Sequence, residues 1–143
     1  MEIIHIRQTF KQPVETIFNL ICDHEQFGKI VGAKIKRIQD GTDGHINGLN
    51  SVRNIEVLPG ISFEETVVNY VPFSSMEYKV SRGSPIKNHH GKLNFSESKG
   101  ITTLEYQIQF EPKLPLPFLG KLLKRAIQTP IEKGLKKLAG QPH

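Results

Sequence analysis

The chain has a single cysteine, Cys22, in 143 residues, so no disulfide can close within it. With no evident histidine partner in the sequence, Cys22 reads as a small buried hydrophobe. No apolar run approaches the roughly 20 residues that span a bilayer. The opening MEIIHIRQTF has neither a basic region nor a long apolar stretch of the secretory kind, so a cytoplasmic protein is expected. Paired cysteines and the HExxH spacing are both missing. His89 and His90, adjacent on a strand, would point to opposite faces and cannot share a metal ion, so no metal and no cofactor is expected. Gly41, Gly44 and Gly48 lack the lysine and helix that follow in a phosphate-binding loop, which excludes that mode of nucleotide binding. No G-x-S-x-G elbow is present for a serine nucleophile.

What is there is an ordinary globular composition, 37% hydrophobic and 23% charged, in a length that suits one domain over residues 1–143. The net charge of +5 is concentrated. Of 19 Lys and Arg and 14 Asp and Glu, residues 113 to 143 hold seven and one, which leaves 12 against 13 elsewhere. The seven are Lys113, Lys121, Lys124, Arg125, Lys133, Lys136 and Lys137, against Glu132. Cations toward a helix C-terminus suit its dipole. A solvated basic face is therefore the first reading and contact with an anionic membrane the second, with no nucleic-acid partner and a monomer or weak dimer expected.

Glu2 to Phe10 alternates with the period of a half-buried strand, Ile4, Ile6 and Phe10 on one side. Pro13 suits a first helical turn, after which Val14, Ile17, Phe18, Ile21 and Cys22 recur at helical spacing. A second short helix runs from the cap Asp23 through Phe27 to Val31, with Gly32 as its stop. Strands are then expected at 34–39, 50–57, 61–71, 75–81, 89–97 and 101–111, with a loop over 82–88. Residues 117 to 139 read as one long amphipathic helix, apolar on one stripe and basic on the other. Pro130 predicts a kink or break near Gln128.

Hairpin geometry fixes which side chains share a face. A three-residue connection at 58–60 sets Val57 opposite Ile61, Ile55 opposite Phe63 and Arg53 opposite Glu65. A two-residue turn at Lys99-Gly100 sets Phe95 opposite Leu104, Leu93 opposite Tyr106 and His89 opposite Phe110. Tyr78 joins Tyr106 on the inner face, and His90 points out. An antiparallel sheet must cover its apolar face, and one long helix across a curved sheet leaves a hollow that suggests a ligand.

The order strand, two short helices, curved antiparallel sheet and long helix resembles the START-like or SRPBCC superfamily, the helix-grip or Bet v 1-like fold. The resemblance rests on Pro13 to Phe18, Glu64-Glu65-Thr66, Tyr78 to Gly83, Gly91 to Phe95, Ile101 to Leu104, and Phe110 with Pro112. It is most similar to the bacterial branch labelled polyketide cyclase/dehydrase. Ile101-Thr102 departs from the Gly-Thr that many relatives carry after the turn. The resemblance implies an α+β fold of six or seven strands and a hydrophobic cavity between sheet and terminal helix.

It further implies a ligand such as a lipid, polyketide or quinone. The polar candidates are Arg53, Glu65, Tyr78, His89 and Tyr106. The apolar candidates are Phe63, Val67, Met76, Val80, Leu93 and Phe95, then Leu104, Ile108 and Phe110, and Leu119, Leu123 and Ile127 on the helix. Binding without chemistry is the main expectation; a cyclase or dehydratase is the alternative. In that alternative Arg53 polarises a carbonyl, Tyr78 or Tyr106 donates a hydrogen bond, and His89 shuttles a proton. The plain reading of the same residues is a structural Arg53–Glu65 ion pair, a satisfied inward histidine and two core tyrosines.

Overall fold

The computed structural model describes residues 1–141, side chains at 57, 58 and 61 excepted. Strand β1 (Glu2–Phe10) leads into helices α1 (Val14–Ile21) and α2 (His24–Val31). Strands β2 (Lys34–Gln39), β3 (Val52–Leu58), β4 (Ile61–Val71), β5 (Ser75–Arg82), β6 (Ile86–Ser98) and β7 (Ile101–Pro112) follow, and α3 (Leu119–Ala139) closes the chain. All seven strands form one curved antiparallel sheet in the order β1-β7-β6-β5-β4-β3-β2. The two edge strands are thus consecutive in sequence, and α1 and α2 carry the chain from one edge to the other. Helix α3 packs against β1, β7 and α2.

Local chemistry explains most boundaries. Asp23 caps α2 by accepting from the Gln26 backbone N–H at 2.9 Å, and Gly32 ends the helix in the left-handed conformation. Strand β3 begins at Val52, two residues later than the periodicity predicts, because Asn50 adopts a left-handed φ of 70°. The β3–β4 connection is tighter than the three-residue reading: Leu58 pairs with Ile61, and an irregularity between Glu56 and Leu58 restores Ile55 opposite Phe63 and Arg53 opposite Glu65.

Strand β6 starts at Ile86, where a loop was expected. Its pairing with β7 shifts between Lys87 and His90, with Asn88 at a φ of 51°, so His89 is not paired with Phe110 as the simple register requires. The extra residue still leaves His89 buried. Helix α3 continues through Pro130 without the expected break. The proline cannot donate to the Ala126 carbonyl four residues back. Phe118, placed inside the helix by periodicity, is instead its N-terminal boundary residue, left-handed at a φ of 65°.

The concave face is solid at one end. There Phe18 from α1 meets Phe95, Tyr70 and Phe73 edge-on, with ring centroids 5.1, 5.5 and 5.6 Å apart. Ile17 and Ile21 of the same helix are buried, as is Leu104, the cross-strand partner of Phe95. No helix among the described residues is long and apolar enough to cross a membrane.

Candidate functional site

The other end of the concave face is hollow. A cavity of about 440 Å³ lies between α2, strands β2 to β4 and the middle of α3. Phe27, Val31, Ile35, Ile55 and Phe63 form one side, Ile86 and Ile108 the far side, and Ala126, Ile127, Pro130 and Ile131 the roof. Arg53, Glu65, Tyr78, His89 and Tyr106 all reach its wall. They come from five strands, β3 to β7 in turn, and the cross-strand register of β3 and β4 is what sets Arg53 beside Glu65.

Arg53 is buried and so is Glu65. Arg53 Nε and Nη2 both donate to Glu65 Oε1, at 2.9 and 2.8 Å. The guanidinium lies between two rings, 4.5 Å from the Tyr78 centroid and 5.1 Å from that of Phe27. Burial, the largest influence on Arg53, works to strip it of its proton, but Glu65, Tyr78 and Tyr106 together outweigh burial and hold the group protonated. Burial raises the Glu65 carboxyl above its ordinary range, against the pull of Arg53. The result is an internally compensated pair that adds no net charge to the cavity.

Tyr78 and Tyr106 share a short hydroxyl-to-hydroxyl hydrogen bond. Burial pushes both phenols above their usual range, so both stay protonated. Two hydroxyl hydrogens serve one mutual bond, so one O–H of the pair remains as a donor for an oxygen in the cavity. Gly91 makes the arrangement possible. It faces Tyr78 across β5 and β6, and a Cβ there would lie 2.3 Å from Tyr78 Cζ.

His89 Nδ1 accepts from the Val80 backbone N–H at 3.0 Å. Its hydrogen is therefore on Nε2, which faces Glu65 Oε2 at 3.9 Å, too far for a hydrogen bond. Burial first, then the charges of Arg53 and His90, lower its pKa to about 4. Neutral His89 with Nδ1 occupied offers its Nε2–H as a hydrogen-bond donor, and its acceptor nitrogen is taken by the Val80 N–H. His90 points away and meets Glu77 Oε1 at 2.8 Å on the outer side.

Among the apolar candidates, Phe63, Ile108 and Ile127 border the cavity. Val67, Met76, Leu93, Phe95, Leu104 and Phe110 are buried in the solid core. Val80, Leu119 and Leu123 do not line the cavity; Val80 and Leu123 pack half-buried against that core. The periodicity had assigned the wall to the central strands. Phe27, Ile35, Ile55, Ala126 and Pro130 were not singled out for it, because their role follows from how α2 and α3 lie on β2 and β3. His24 was also missed. It is fully buried, with Nε2 2.9 Å from Ser51 Oγ and burial lowering its pKa to about 3. Cys22 is buried too, and burial pushes its thiol up, away from nucleophilic character.

Comparison with known proteins adds to this geometry. Residues 1–141 match the model of the polyketide cyclase / dehydrase and lipid transport family. The chain belongs to this family. No curated protein matches it in sequence. A START superfamily protein from Mycobacterium smegmatis is similar in fold, 18% identical, with 95% of this chain and 98% of that one covered at a TM-score of 0.73. Norcoclaurine synthase from Thalictrum flavum, solved with dopamine and hydroxybenzaldehyde, is 11% identical over 99% of this chain and 89% of its own, at a TM-score of 0.69. The XoxI protein from Bacillus cereus is 15% identical, covering 97% and 94%, at 0.71. The polyketide cyclase / dehydrase and lipid transport membership and these likenesses establish a START-like, ligand-binding fold.

Proposed function

We propose that the protein binds a hydrophobic small molecule, of lipid, polyketide or quinone type, in the cavity under α3 and performs no chemistry on it. One observation carries this reading: the cavity is walled mainly by apolar side chains, and its charged groups are already engaged with one another. Glu65 is paired with Arg53 through Oε1, and His89 Nδ1 is taken by the Val80 N–H, so each serves a bond within the wall. The spare tyrosine O–H orients a carbonyl or hydroxyl oxygen of the ligand. The Ala126 carbonyl, left without its helical donor by Pro130, supplies an acceptor beside the cavity roof.

A second reading, a cyclase or dehydratase, draws on the same tyrosine hydroxyl and the adjacent Arg53 as stabilisers of a developing oxyanion. Native mass spectrometry of freshly purified protein, with solvent extraction, tests the first. A stoichiometric apolar adduct that exchanges unchanged supports binding. An adduct released in chemically altered form, with the alteration lost in Tyr106→Phe, replaces it with the second reading.

A further inference from the structure

Helix α3 is packed unevenly. Its buried residues, Ile131, Leu135 and Leu138, all lie in the C-terminal half. The segment leading into its first turn does the reverse. Leu114, Leu116, Phe118 and Leu122 are 61, 58, 82 and 66% exposed, four of the largest exposures of any apolar side chain described. Apolar residues this exposed and this close together mark a contact surface. Pro115 and Pro117 keep the segment out of regular structure, and its backbone is held by Lys113 N–H to the Pro85 carbonyl at 2.9 Å. Phe118 stands at the helix start in a left-handed conformation that bulky residues rarely adopt, with its side chain offering no cap.

Around these four stand Lys113, Lys121, Lys124 and Arg125, with no acidic residue from 113 to 131 and one carboxylate from elsewhere, Glu2 of β1, against Gly120. Among the described residues none of the four cations forms an ion pair. We propose that residues 113–125 are a membrane-docking lobe, in which Leu114, Leu116, Phe118 and Leu122 enter the headgroup and acyl boundary of an anionic bilayer while the cations hold its headgroups. Charge selects this occupant over a second copy of the chain, which would bring the same positive charge to the contact. The lobe adjoins the cavity: Leu122 is one helical turn from Ala126 in the roof, and Lys113 is bonded next to Ile86 in the wall. Docking would therefore bring the cavity close to the lipid phase. The proposal stands apart from the pocket reading, and its test uses no pocket ligand.

The full chain has no tryptophan, so Phe118→Trp gives a single reporter, with Ile101→Trp at the β6–β7 turn as control. Mixed with phosphatidylcholine vesicles containing phosphatidylglycerol, Phe118→Trp should shift its emission to the blue and be quenched by brominated acyl chains. The control should do neither, and vesicles of phosphatidylcholine alone should bind weakly. In flotation, Leu116→Ser with Phe118→Ser should lower partitioning at least tenfold. Lys121→Gln with Lys124→Gln and Arg125→Gln should lower it roughly a hundredfold at low salt, at about 1 kcal/mol per cation. Both sets lie on exposed or half-exposed positions and should leave the melting temperature unchanged. An unshifted Phe118→Trp overturns the proposal, as does vesicle binding indifferent to the serine pair. Self-association that the serine pair abolishes, or an acidic protein bound in preference to vesicles, also overturns it.

Discussion

The two ends of the same concave face are built by opposite means. At one end α1 inserts Phe18 into a ring of aromatics and the space is filled. At the other, α2 and α3 arch over β2 to β4 and leave about 440 Å³, walled by apolar side chains and by the compensated Arg53–Glu65 pair. The difference teaches that the sheet sets the face but the helices decide whether it becomes core or cavity. Filling one end supplies stability, which lets the other remain open.

The largest effect should come from breaking the compensation at the hollow end. Arg53→Ala leaves the Glu65 carboxylate buried without its partner and should cost about 3–5 kcal/mol in urea unfolding, whereas Arg53→Met combined with Glu65→Leu should recover most of that loss. Equal losses in the single and double variants would show that the pair is not a compensated unit.

Truncations then compare the ends directly. Phe18→Ala at the filled end should cost about 3–4 kcal/mol, because it opens a void in close-packed surroundings. Ile127→Ala, on a wall that already borders empty space, should cost about 1 kcal/mol. Similar costs for the two would mean that the hollow end is packed as the filled end is.

The last comparison is a pH dependence. His24 and His89 have folded pKa values lowered from 6.5 to about 3 and about 4. The unfolded chain therefore takes up their protons first, and stability present above pH 6.5 should fall as pH drops from there toward 4. Glu65, raised by burial, works in the opposite sense and softens the lower part of that fall. Urea midpoints from pH 7.5 to 5 should show the decline. His89→Asn, which can keep an acceptor for the Val80 N–H, should make it shallower and leave the share of His24.

Much of this was legible in the sequence, for identifiable reasons. Strand alternation and turn residues carry register, so Arg53 beside Glu65 and Leu93 beside Tyr106 followed from counting alone. The shift at His89 did not, because it depends on Asn88 taking a left-handed φ that its residue type merely permits. Gly91 was a readable sign: a glycine inside a strand marks a close approach, here the Tyr78 ring. The cavity wall was the least legible part. Phe27, Ile35 and Ile127 look in sequence like any core residue, and only the way α2 and α3 lie on β2 and β3 separates them from Leu104 or Phe110.

The central claim is that the hollow end takes an apolar ligand. Its most direct test is titration of an apolar, polarity-sensitive fluorophore against the wild type, Ile127→Phe and Phe18→Leu, each first shown to melt cooperatively. One saturable site in the wild type and in Phe18→Leu, with affinity at least tenfold weaker when Ile127→Phe narrows the cavity, is the predicted result. Binding that is absent from the wild type, or that ignores Ile127→Phe, would contradict it.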